Sequence, residues 1–446
     1  MHSLCEEDEK KVKKVFVLLL FVVCLMGFSG CNQNDKGGNN QTVDKTEEPT
    51  FVPTKEPTPE PTVAPTPEPT IEPTPIPEVV TDEATVQGMA EEIMQGMTLE
   101  EKIGQMFIVN FELLDDSQGS FYEFRDCTDA MKTNMVKYPV GGVIFFSRNI
   151  ETREQTSQFI IDLQNQSKVP LFVAVDEEGG DVARIANNDN MKTTKFPSMQ
   201  QVGILNNKDY AYDIGTTIGR EIKELGFNLD FAPVADVKTN QSNTEIGNRS
   251  VGSDPKKVAS MITQIVKGLQ EQGISATLKH FPGHGDVDGD SHQGAVNVEN
   301  DIQRLRKIDF VPFKSGIKAG ADFIMVSHIS ISRVTEDTVP SSLSSLVMKE
   351  MLRDELGFKG IIITDALNMK AITNDYSASE AAVTAVSAGT DILLMPENIE
   401  ESFRAVLEAV QDGTISEDQI NQSVTRILET KIKRGLILSN TELIYK

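Results

Sequence analysis

The stretch GIIITD, residues 360–365, sets three isoleucines and a threonine between a glycine and an aspartate. A run this short, apolar throughout and rich in β-branched side chains, is the pattern of a strand buried on both faces, as in a parallel sheet. Seven more runs of the same kind recur along the chain: QMFIVN at 105–110, GGVIFF at 141–146, LFVAVD at 171–176, NLDFAPVADV at 228–237, SATLKH at 275–280, DFIMVSH at 322–328 and TDILLM at 390–395. Helical periodicity fills the intervals, most clearly over 152–166, 210–225, 255–272, 302–319 and 342–356. Ser253 and Asp254 ahead of Pro255 read as a cap and a first-turn proline, with Gly273 as the stop. Eight strands alternating with helices predict an α/β fold, a (β/α)8 TIM barrel, with a doubly wound open sheet as the rival. The polar residues favour the barrel. Asp176, Asp236, Lys279, His280, His328 and Asp365 all sit at or beside the C-terminal end of a run; a barrel gathers those ends on one rim, whereas an open sheet scatters them.

Three segments carry chemistry. The densest is KHFPGHGDVDGDSHQG, residues 279–294, with three of the five histidines. Its Asp290 and His292 form the pairing that fixes an imidazole tautomer and tunes a general acid/base near neutral pH. The same loop, with His280, His284, His292, Asp286, Asp288 and Asp290, offers ligand types for a metal, but the helical spacing of zinc motifs and the closing Glu of a calcium loop are missing. In IIITDALNM, 361–369, Asp365 is either a nucleophile pushed to the barrel mouth or a cap of the following turn. In VAVDEEGGDVAR, 173–184, Asp176 and Arg184 flank two glycines, a set suited to sugar hydroxyls or, more simply, a solvated acidic loop with one arginine.

The 446 residues suffice for two or three domains or one large barrel, and a net charge of −25 excludes nucleic acid as a partner. Of the cysteines, Cys5, Cys24 and Cys31 lie in the opening segment and Cys127 stands alone, so no disulfide framework forms. Lys10, Lys11, Lys13 and Lys14 precede an apolar run from Val15 to Phe28 and then Ser29-Gly30-Cys31. This reads as a signal segment, 1–31, ending in a lipobox with Cys31 as the lipidation site; an uncleaved anchor is the alternative. Residues 32–84 are polar and then Pro/Thr/Glu-rich, a disordered, extended linker or stalk. The catalytic barrel is expected over 85–446, held by a lipid anchor at the outer face of the cell membrane.

KHFPGHG with the following Asp-Ser-His, ITDALNM, VDEEGG and IGNRS (246–250) together resemble the family-3 glycoside hydrolases, in particular their β-N-acetylglucosaminidase (NagZ-type) branch, over about residues 88 to 436. The resemblance implies a cofactor-free, metal-free barrel enzyme that removes terminal non-reducing β-linked N-acetylglucosamine with retention, from carbohydrate substrates such as peptidoglycan fragments. By position, Asp365 matches the nucleophile and His292 the acid/base, oriented by Asp290. Asp176, Arg184, Arg249, Lys279 and His280 match the residues that hold the sugar, and His284 belongs to the supporting layer of the loop. Asp365 has to stay ionised, with Lys279 and the two arginines as helpers, while His292 gives and then regains a proton. A monomer is expected. Thr364-Asp365-Ala366 departs from the Ser-Asp-Trp pattern of the β-glucosidase branch, and the chain has no tryptophan. Substrate-assisted hydrolysis through Asp176-Glu177 and a non-catalytic sugar-binding lipoprotein are the other readings.

Overall fold

The structure is a computed structural model that describes residues 79–289 and 294–438. The expected signal segment with Cys31, the expected linker up to residue 78, and the Asp290-His292 pair lie outside the described residues. Each of the eight apolar runs forms a strand: β1 (Phe107–Val109), β2 (Gly142–Phe145), β3 (Phe172–Val175), β4 (Leu229–Asp230), β5 (Ser275–Phe281), β6 (Phe323–Val326), β7 (Ile361–Thr364) and β8 (Leu393–Leu394). Every residue in them is buried, as two covered faces require.

The strands run parallel in the order β7-β6-β5-β4-β3-β2-β1-β8, and an isolated bridge between Ile363 and Ile392 joins β7 to β8. That closure decides for the barrel over the open sheet. Phe172 on β3 and Phe323 on β6 meet edge-to-face at 5.2 Å, filling the interior with side chains. β4 is shorter than its apolar run because Pro233 has no N–H to donate to a ladder. The chain nevertheless continues beside β5, bridging Val234 to Lys279, and so delivers Asp236 to the rim.

Helices stand where the periodicity placed them: Arg153–Gln164, Lys208–Lys223 and Pro255–Glu271. Asp254 caps the last of these by accepting from Lys256 N at 2.9 Å, Pro255 opens it, and Gly273 follows at φ +80°. Two segments differ from the expectation. The 302–319 helix contains a π turn, Leu305–Asp309, and 342–356 is a 3-10 turn followed by a π-helix, Leu346–Glu355. Over so few residues the apolar spacing does not distinguish i+4 from i+5 bonding.

At the N-terminal end of the barrel, the helix Glu417–Lys433 seals the base. Lys431 is fully buried there; its Nζ donates to Gln105 Oε1 at 2.8 Å and Gly141 O at 3.0 Å, and lies 4.9 Å from the Phe172 ring centroid. Burial pushes this amine down to about 7. The same helix also meets Asp391, buried as well, which accepts from Ser423, Arg426, Arg353 and Ile362 N, tying β7, β8 and two helices together.

Candidate active site

The C-terminal rim encloses a cleft of about 850 Å³. Asp176 leaves β3 and the chain turns at once into a hairpin, Glu177–Gly179 against Val182–Ala183. The turn needs its glycines: Gly180 has φ +65°, and a Cβ there would come within 2.7 Å of Ser198 Cα. This fold-back sets Asp176 and Glu178 against the end of β5. Lys279 Nζ sits 2.8 Å from Asp176 Oδ1 and 2.6 Å from Glu178 Oε1. Arg249, delivered by the IGNRS segment, grips Glu178 with Nε and Nη2 at 2.9 and 2.8 Å. Arg184 reaches Asp176 more loosely, at 3.5 Å.

The result is a chain of alternating charges, Asp176, Lys279, Glu178 and Arg249, along one wall. Burial alone raises the Glu178 carboxyl, but Lys279 and Arg249 outweigh it and hold the group at about 2. Burial likewise disfavours charged Lys279, yet Asp176 and Glu178 win and raise its pKa. His280 is fixed from below: its Nδ1 lies 2.7 Å from Asp236 Oδ2, and its Nε2 faces Arg249 Nη2 at 3.4 Å. A proton on Nδ1 satisfies both contacts. Asp236 also accepts the N–H groups of His280 and His284, at 3.2 and 2.6 Å. His284 lines the cleft itself rather than merely supporting it, and burial together with neighbouring His280 lowers its pKa.

Asp365 follows β7 and lines the same cleft. Its N–H donates to Val326 O and its Oδ1 accepts from Ala366 N, both at 2.8 Å, so part of the turn-capping role is present alongside the exposure to the cleft. His328 fixes this turn from behind, with Nε2 2.9 Å from Ala366 O and Nδ1 2.7 Å from Ser342 Oγ. Six of the eight chemical residues singled out in the sequence thus meet in one cleft: Asp176, Arg184, Arg249, Lys279, His280 and Asp365. Asp290 and His292 lie outside the described residues, but the described stem of their loop, through His284, joins the site. Among the described residues, no group of three or more His, Cys, Asp or Glu is arranged to hold a metal ion.

The glycosyl hydrolase family 3 N-terminal domain matches residues 98–430. The chain belongs to glycosyl hydrolase family 3. β-Hexosaminidase A of Pseudoalteromonas piscicida is 31% identical over 372 residues, covering 76% of this chain and 61% of the relative. A β-hexosaminidase of Tolumonas auensis is 35% identical over 292 residues, covering 64% and 83%. The structure of a family-3 β-N-acetylglucosaminidase from Paenibacillus sp. str. FPU-7 superposes with a TM-score of 0.71 at 35% identity, over 79% of this chain and 66% of that one. The chain therefore spans about three fifths of the first relative's length and just under two thirds of the solved structure's.

Within this family-3 barrel, two residues given no role in the sequence prove central. Glu178 joins Lys279 to Arg249, and Asp236 positions both His280 and His284. Asp236 carried a signal, its place at a strand end. Glu178 lay inside the VDEEGG motif, but its own role was hidden, because its partners stand 71 and 101 residues away in sequence and meet it only after the barrel closes.

Proposed function

We propose that this family-3 chain is a retaining exo-β-N-acetylglucosaminidase acting on peptidoglycan fragments whose N-acetylglucosamine end is exposed. The observation that carries the reading is a single cleft with Asp365 at its strand end and an alternating carboxylate and cation wall beside it. The names of the relatives support the sugar. Asp176, Arg184, Arg249, Lys279 and His280 hold the hydroxyls of the terminal sugar. Asp365 attacks C1 as the bond to the leaving oxygen breaks, and His292, oriented by Asp290, gives that oxygen its proton. Water then attacks C1, loses a proton to His292, and releases Asp365. The division into a signal segment, a linker over 32–84 and a barrel over 85–446, with the chain anchored through a lipid on Cys31, belongs to the same proposal. Mass spectrometry finding Cys31 unmodified sinks the anchor alone.

The reaction is tested with aryl β-glycosides of N-acetylglucosamine, glucose and xylose, wild type against Asp365→Ala. Turnover of the first, lost in the variant while the fold survives, together with a 2-fluoro-sugar adduct on Asp365, is the expected result. Preference for glucose, or inhibition by a thiazoline mimic without any adduct, contradicts the proposal.

A further inference from the structure

Another part of the cleft lining is built differently from the charged array. β3, β4 and β5 bear the array, whereas the loop after β1 brings Phe121 into the cleft next to Arg148 and Phe146 from the end of β2. The loop is a built one. Asp115 Oδ1 accepts from Ser117 N and Oγ at 3.1 and 2.5 Å, while Oδ2 accepts from Thr128 Oγ1 at 2.6 Å, so its two ends are tied together. Asn134 Nδ2 donates to Leu114 O at 2.9 Å and fastens the base to the next helix. At its tip Phe121 keeps 78% of its surface exposed while lining the cleft. A phenyl ring held that far out of the core contributes little to folding.

The ring also has a firm backing. The Arg148 guanidinium carbon lies 5.5 Å from the Phe121 centroid and 4.5 Å from that of Phe146, and Arg148 is itself paired with Glu112 at 2.6 Å. Its charge is thus already met, and this wall presents a ring face rather than a cation. In the ring of strands, β1 stands two places from β3 and two places from β7, so Phe121 belongs neither to the array nor to the turn that carries Asp365. In-line displacement sends the leaving group away from Asp365, and among the described residues lining the cleft Phe121 is the aromatic exposed to meet it.

We propose that Phe121 is the aglycone platform, stacking the apolar face of a pyranose leaving group; this rests on the exo-glycosidase reading above. Stacking on an aromatic ring sets an expected effect of about tenfold in kcat/KM. Phe121→Ala should lose that factor on N,N′-diacetylchitobiose, and several-fold less on the β-azide of N-acetylglucosamine, whose small leaving group does not span to the ring. Equal loss on both substrates, or no loss on the disaccharide, overturns the platform. A second readout needs no turnover, because the chain has no tryptophan. In the D365A/F121W double variant the only indole reports on this wall. N,N′-Diacetylchitobiose should quench or shift its emission, and N-acetylglucosamine alone should not. A disaccharide that binds by calorimetry without changing the emission refutes the assignment. Should the intact chain hydrolyse neither substrate, the reaction reading falls while the emission still decides the platform.

Discussion

Glu178→Gln tests the charged wall most directly. The substitution keeps the shape of the side chain and removes one charge from a site where it takes three contacts: Lys279 Nζ at 2.6 Å and Arg249 Nε and Nη2 at 2.9 and 2.8 Å. The side chain is 1% exposed, so water does not replace what is lost. Breaking a buried ion pair from one side costs about 3–5 kcal/mol. Linkage gives a similar figure: a carboxyl near 4.5 when unfolded and about 2 when folded is worth ~3 kcal/mol at neutral pH. The sign follows from the depressed folded pKa. The contribution is fully present above about pH 4.5 and drains away as pH falls toward 2, so the gap between wild type and variant should narrow by about 1 kcal/mol between pH 7 and pH 3.5. Urea denaturation at the two pH values measures it. Because Arg249 and Lys279 lose their common anchor, KM for an aryl N-acetylglucosaminide should rise by at least about tenfold, a modest share of what a misplacement near 1 Å costs. A variant as stable as wild type with an unchanged KM refutes the reasoning, since the wall would then neither need its central carboxylate nor use it to hold the sugar.

Other outcomes follow from the same structure. Lys431→Met should stabilise the barrel near pH 7, because the folded amine at about 7 binds fewer protons than the unfolded one. The penalty is relieved as pH rises toward 10, so thermal unfolding should show the variant's advantage shrinking by about 2 kcal/mol between pH 7 and 9; a constant offset argues that the amine is ionised in place. His292→Ala should cost substrates with poor leaving groups at least about tenfold more than nitrophenyl glycosides, which need little protonation, and equal losses speak against the assigned acid. Asp236→Asn should move the pH profile of kcat/KM, because it removes the carboxylate that touches both His280 and His284; a lower rate with an unmoved profile marks Asp236 as structural only.

The barrel was legible because strands buried on two faces carry a dense local signal. All eight apolar runs became strands, and the rim residues fell where parallel strands end. Local signals also fixed the cap at Asp254 and the turn glycines 179 and 180. What stayed hidden needs contacts distant in sequence. The sequence reading set Lys279 and Arg249 to help Asp365, and the structure shows both already engaged by Glu178. Phe121 was unremarkable for the opposite reason. An exposed aromatic in a loop gains meaning only once the barrel brings it to the same cleft as the charged wall.

A buried charge alone does not mark a site in this protein. Asp391 at the base is as buried as Asp236 at the rim, and it holds two arginines, a serine and a backbone N–H. All of its acceptor capacity is spent on its own fold, which is what a structural staple requires. At the rim the balance differs. Asp176, Lys279, Arg249 and His280 are partnered among themselves, yet each still faces an 850 Å³ cleft. A hydroxyl-rich ligand can enter that network without first stripping an ion of its water, because the protein has already done so in folding. The two ends of one barrel therefore use the same residue types for opposite purposes, and the open face, rather than burial or charge, separates them.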